Sequence, residues 1–289
     1  MPITEQTVGE QRLRVLEVDG PGVPVLLLHG VSDSADGYRP VLEHLAGRHP
    51  ARAVSFRGHG GSAHAASYEL ADYCADVVAL IEDGGPVVLA GHSLGSVVAA
   101  QLASTRPDLV AGLFLEDSPL LALRDPRRAD APWFETFRQT RALLDAPPAD
   151  DAAFLAAVGE LSVGIPDSDV RMRDVASPRF LALRAAVLRP LDPRVFDPIL
   201  DGALVPAALL NGLESIACPT AIIAGVWVHG GAMTAADLAI WQRRIPQATV
   251  TVLEQAGHVI HLGPTPVRID YLKTLDELLD RVAQRDVRR

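Results

Sequence analysis

Five short apolar runs constrain the fold of this chain more than any other feature: Pro24–Gly30 (PVLLLHG), Gly85–Ser93 (GPVVLAGHS), Leu109–Asp117 (LVAGLFLED), Cys218–Gly225 (CPTAIIAG) and Ala248–His258 (ATVTVLEQAGH). Each has strand length and a Leu-rich or β-branched content. Their apolar residues are continuous rather than alternating, so both faces of each strand must be covered. Helical periodicity lies between the runs at Tyr38–Ala46, Leu70–Ile81 and Ser96–Ser104. It returns near the C-terminus, where Leu272, Leu275, Leu279 and Val282 recur in a charged background. Strands alternating with helices specify βαβ units, hence an α/β fold with a mostly parallel twisted sheet and helices on both faces. The opening TVGEQRLRVLEV reads as an antiparallel edge hairpin.

The alternation breaks between Pro119 and Asn211. That stretch has no clear strand and reads as short helices separated by prolines. It holds five of the seven phenylalanines (Phe134, Phe137, Phe154, Phe180, Phe196) together with Trp133. A helical insertion with its own aromatics is expected to cap the carboxyl end of the sheet, where open α/β sheets bind ligands. The expected organisation is a core of residues 1–118 and 212–289 with a helical cap, or lid, at 119–211.

At 289 residues the chain is long enough for such a core and insertion, and its net charge of −10 argues against nucleic acid and acidic membrane surfaces as partners. Two cysteines, Cys74 and Cys218, are too few for a disulfide framework. The first residues lack the apolar core of a signal peptide, and no stretch reaches the roughly 18 apolar residues of a membrane helix. A cytoplasmic location is expected, with a homodimer left open.

Gly91-His92-Ser93-Leu94-Gly95 is a G-x-S-x-G motif between an apolar strand and a helical pattern. A sharp strand-to-helix turn there exposes a strained serine at a helix N-terminus, which marks Ser93 as a nucleophile. With LLLHGVSDS, VSFRGHGGS, GHSLGS and QAGHVIH, the chain resembles the α/β-hydrolase superfamily in its cap-bearing branch. The resemblance covers nearly all of the chain outside the insertion.

It implies His258, after the last strand, as the base that activates Ser93. It implies an oxyanion hole made by the backbone N–H groups of Leu94 and Val31, with Gly30 or Ser32 as alternatives to Val31. His29 is expected to brace its loop, His59 and His92 to be structural, and His44, His49 and His64 to lie at the surface. His261 is a candidate for the pocket lining.

The histidine also needs a carboxylate on its other ring nitrogen. Most of the superfamily places an Asp a few residues after the strand equivalent to PTAIIAG. Here those positions are Val226, Trp227, Val228 and His229. Some members, including the zearalenone-lactone hydrolases and one type of haloalkane dehalogenase, carry the acid one strand earlier. Glu116 and Asp117 stand at that place, and the resemblance favours Asp117 with Glu116 as the alternative. Asp237 falls too far into the next helix. The vacated loop is then free for substrate, making Trp227 and His229 binding candidates beside Ser32 and Trp133, with Met233 a weaker one.

Serine rather than aspartate at the elbow indicates acyl transfer. The expected activity is hydrolysis of a carboxylic ester or lactone, a small molecule with a bulky apolar body, without cofactor or metal. The alternatives are a carbon–carbon bond hydrolase of dienone-type acids and a non-turnover ligand receptor on the same scaffold. A cyanohydrin lyase usually needs a lysine near the site, and the only one here is Lys273, in the final helical pattern.

Overall fold

A computed structural model describes residues 4–8, 10–125, 130–165 and 167–286. One sheet carries eight strands: β1 (Thr4–Val8), β2 (Leu13–Val18), β3 (Val25–Leu28), β4 (Ala51–Val54), β5 (Val87–His92), β6 (Val110–Glu116), β7 (Thr220–Ala224) and β8 (Thr249–Val252). Their order is β1-β2-β4-β3-β5-β6-β7-β8. The first two strands form the expected antiparallel hairpin, β2 pairs antiparallel with β4, and all remaining pairings are parallel.

Four of the apolar runs are buried throughout their strands, apart from Ala111 in β6. Alternate side chains of β3 feed opposite faces. Leu26 and Leu28 enter one core layer, and Val25 and Leu27 the other. The fifth run is less regular: β8 is a half-exposed edge strand, and its last residues leave the sheet as a loop. Strand β4 (ARAV) has no counterpart among the five runs. Arg52 interrupts its apolar content and reaches out to the Leu80 carbonyl.

On the core, α1 (Arg39–Leu45), α2 (Leu70–Ile81) and α3 (Leu94–Thr105) follow the early strands. Between β6 and β7 come α4 (Pro132–Asp145), α5 (Asp151–Gly159), α6 (Met172–Val175), α7 (Pro178–Leu188), α8 (Asp197–Leu200) and α9 (Ala207–Gly212). The chain closes with α10 (Ala235–Arg244) and α11 (Thr265–Asp286). Within the insertion, Asp150 and Ser177 cap α5 and α7 by accepting from the Ala153 and Phe180 N–H groups. Phe154, Leu188 and Phe196 are buried there, whereas Phe180 is exposed.

Asp237 ties this segment to the core. It is fully buried, closes a capping box with Thr234 and accepts from the Leu121 N–H at 2.5 Å. No helix of the described residues is long and apolar enough to cross a membrane.

Candidate active site

Ser93 sits between β5 and α3 with φ 50° and ψ −112°. This is a conformation that L-residues rarely adopt, and it costs of order 1–3 kcal/mol. Packing holds it there. A Cβ on Gly91 would lie 2.3 Å from the Gly95 backbone, and one on Gly95 would lie 2.0 Å from the Leu28 oxygen. Only glycines let the turn close. Ser96 Oγ donates to the Gly91 carbonyl at 2.5 Å, and the Ser93 N–H donates to the Glu116 carbonyl at 3.0 Å. The start of α3 points its free N–H groups towards this turn.

Asp117 follows β6 and is completely buried, with φ 41°. His258 Nδ1 donates to its Oδ2 at 2.6 Å. The carboxylate accepts from two further donors: the Ala232 N–H to Oδ2 at 2.6 Å and the Gly225 N–H to Oδ1 at 3.3 Å. Both belong to the stretch after β7, which carries no acid. That stretch supplies backbone donors to the carboxylate of the neighbouring strand. With Nδ1 committed as a donor to an acceptor-only group, His258 keeps the lone pair of Nε2 for the cleft.

Glu116 points the other way. It is also fully buried, and Oε1 accepts from the Ile260 and His261 N–H groups at 2.6 and 2.9 Å. His261 Nδ1 donates to Oε2 at 2.8 Å. His261 is wholly buried and stacked on Tyr38 at 4.5 Å, so it does not line the cleft as the sequence suggested. Burial pulls its pKa down, but the Glu116 charge and hydrogen bond outweigh that, and the net shift is upward.

The loop after β3 is braced from below by His29. Its Nδ1 donates to the Gly30 carbonyl at 2.7 Å, and Nε2 accepts from the Phe56 N–H at 2.9 Å. Burial lowers its pKa to about 4, in keeping with a neutral ring that has one donor and one acceptor nitrogen. His92 is buried beside the elbow, donates from Nε2 to the His258 carbonyl at 3.1 Å, and is held well below its ordinary pKa by burial. Among the described residues neither the Val31 nor the Leu94 N–H meets a protein acceptor. His44 reaches Asp276 at the surface, His49 the Val23 carbonyl, and His64 the Pro190 carbonyl.

Ser93 and His258 line one cleft with Leu94, Pro119, Leu123, Trp133, Phe137, Ile199, Leu204 and Ala232. Its free volume of ≈ 20 Å³ leaves room for roughly one water molecule. No hydrogen bond joins Ser93 Oγ to His258 among the described residues, and such contacts commonly tighten only when substrate is bound.

Of the expected binding residues, Trp133 is in the lining, and its buried Nε1 has no partner. Trp227 and His229 are not. They lie exposed on a 3₁₀ turn (Trp227–His229), which Gly230 reverses with φ 82° so that the chain returns inward at Ala232. Met233 is buried but off the cleft, and the Ser32 hydroxyl is engaged by Arg184. Sequence reasoning missed Phe137, although its i+4 spacing from Trp133 on α4 was a readable signal. Leu123, Ile199 and Leu204 carried none, because only the folding of the insertion brings them to the sheet. Among the described residues no cluster of His, Cys, Asp and Glu is arranged to hold a metal.

A model of the alpha/beta hydrolase family matches residues 25–268. The chain belongs to the alpha/beta hydrolase family. Over 94 residues it is 38% identical to (E)-2-((N-methylformamido)methylene)succinate hydrolase of Acinetobacter baylyi, a match covering 32% of this chain and 36% of that protein. Over 112 residues it is 39% identical to lipase LipV of Mycobacterium tuberculosis, covering 37% and 42%. The match therefore spans about two fifths of the length of these curated relatives. The crystal structure of E-2-(acetamidomethylene)succinate hydrolase superposes with a TM-score of 0.70 at 23% identity, over 96% of this hydrolase and 99% of that chain. That likeness is one of fold.

Proposed function

We propose that this hydrolase cleaves a carboxylic ester or lactone through an acyl-enzyme on Ser93. The observation that carries this reading is the His258–Asp117 pair, 2.6 Å apart, opening onto the cleft that holds the elbow serine. Ser93 Oγ attacks the carbonyl carbon while His258 Nε2 takes its proton. Asp117 keeps the other nitrogen protonated and stabilises the imidazolium. The Val31 and Leu94 N–H groups receive the oxyanion. His258 then protonates the leaving alcohol, and water, activated by the same histidine, releases the acid. The helical insertion acts as a cap, and Trp133, Phe137 and Leu123 give the substrate an apolar surface. The small free volume requires the cap to shift when substrate enters.

The test is intact-mass labelling by a fluorophosphonate, followed by an ester and lactone panel. We expect the wild-type protein to take up one label, Ser93→Ala none, and the wild type to turn over activated esters many times. A wild type that resists the probe and hydrolyses nothing would remove this reading and leave a binding role on the same scaffold.

A further inference from the structure

Arg184 differs from the ion-paired arginines of the insertion. Arg138, Arg141, Arg173 and Arg194 each meet a carboxylate, from Glu135, Asp197, Glu160 and Asp192 respectively. Arg184, on α7, turns instead towards the core. Its Nη1 donates to the Ser32 carbonyl and its Nη2 to Ser32 Oγ at 2.7 Å. No carboxylate among the described residues lies within 4 Å of it. Burial lowers its pKa, opposed only by the more distant charge of Asp33. Arg184 is half-buried, and both of these hydrogen bonds go to the neutral acceptors of Ser32, so donors of the guanidinium are left for an anion.

Its position says which anion. Ser32 directly follows Val31, so the guanidinium stands within roughly 10 Å of the Val31 N–H by chain geometry. Guanidinium has five N–H donors in a planar fork, and Ser32 uses two. The remaining donors suit a planar, bidentate carboxylate.

We propose that Arg184 binds a carboxylate carried by the substrate itself, a few carbons from the scissile carbonyl. The proposal rests on the Ser93 acyl-transfer reading and narrows it to half-esters of dicarboxylic acids or lactones bearing a free acid. Because Arg184 belongs to the insertion and Ser32 to the core, its two hydrogen bonds tie α7 to the loop after β3. A purely structural role is the competing account, since Ser32 has φ 64° and its carbonyl and hydroxyl are both engaged by Arg184.

Two esters separate these accounts: p-nitrophenyl hemiglutarate and the neutral, similar-sized p-nitrophenyl pentanoate. Wild type is expected to prefer the hemiglutarate in kcat/KM. Arg184→Gln should lower the ratio of hemiglutarate to pentanoate activity about 10- to 100-fold, mainly through KM, and Arg184→Lys should restore part of it. An equal fall on both esters, or a wild type that does not favour the acid, overturns the proposal. If neither ester is turned over and the fluorophosphonate does not label the wild type, the Ser93 reading fails separately, and glutarate binding to the intact protein decides. A rise in Tm with glutarate that Arg184→Gln abolishes supports the carboxylate site, and no rise in wild type overturns it. Should Arg184→Gln not fold, the wild-type preference and the glutarate shift remain decisive.

Discussion

Glu116 and Asp117 are chain neighbours, both wholly buried, and both bonded to the Nδ1 of a histidine on the loop after β8. They differ in where the histidine goes. Glu116 ends β6 and sends its carboxylate to one side, and the left-handed turn at Asp117, just past the strand, sends the next carboxylate to the other. His258, paired with Asp117, keeps 24% of its side chain exposed at the cleft, whereas His261, paired with Glu116, has none. The carboxylate–imidazole pairing is thus the same in kind, and access to a reacting atom separates the proposed catalytic dyad from a structural clamp. Glu116 also receives the Ile260 and His261 N–H groups, so it fixes the backbone just beyond His258. One acid orients the ring, and its neighbour orients the loop that carries the ring.

The largest effect is expected on the cleft side. Asp117→Asn keeps the shape but presents an amide to His258 Nδ1 and favours the wrong tautomer. The rate of fluorophosphonate labelling, and kcat on any ester found, should fall about 10³- to 10⁴-fold with little change in fold. Labelling at the wild-type rate would mean that Asp117 is structural and would make Glu116 the candidate acid.

On the core side the effect should fall on stability first. Glu116→Gln leaves His261 with only the Asp33 carboxylate, 3.9 Å away, in a dry site and costs about 3–5 kcal/mol, read as a lower urea midpoint. Catalysis should suffer less than in Asp117→Asn, within roughly 100-fold, through a loosened His258 loop. If Glu116→Gln instead matches or exceeds the rate loss of Asp117→Asn at unchanged stability, Glu116 is the acid.

Much of this arrangement was legible in the sequence, and the reasons are local. Continuous apolar runs at β3, β5, β6 and β7 leave little choice but a covered parallel sheet. The elbow glycines announce themselves because a Cβ at either position would collide with backbone. A carboxylate partner for His258 at Glu116 or Asp117 was expected, and the left-handed turn at Asp117 decides which of the two meets the ring. Trp227 and His229 misled for a related reason. An aromatic loop after a strand end looks like pocket lining, yet this loop is occupied in surrounding Asp117 through Gly225 and Ala232 and turns its large side chains outward. Ile199 and Leu204 reach the cleft only through the tertiary folding of the insertion, which short-range periodicity does not encode.

The buried histidines also respond to pH in opposite directions: His261 on one hand, His29 and His59 on the other. His261 has a raised folded pKa, so its stabilising contribution is complete below the unfolded value near 6.5 and is lost as pH rises through the folded value. His29 and His59 behave in reverse. Burial lowers them to about 4 and about 3, so the folded state resists the protons that the unfolded chain accepts, and stability falls as pH drops from 6.5 towards those values. A shift of this size corresponds to about 3 kcal/mol for one such histidine, and the two contributions are not additive because the rings adjoin at 5.0 Å. Urea midpoints measured from pH 7 to pH 4.5 should therefore fall, and His29→Asn should flatten that fall. His261→Gln should instead leave the acid limb in place and remove the decline as pH rises above 6.5. A wild-type midpoint that stays level between pH 7 and 4.5 would show that these rings are not held neutral by burial. The buried layer under the cleft would then be wetter and more readily protonated than its packing implies.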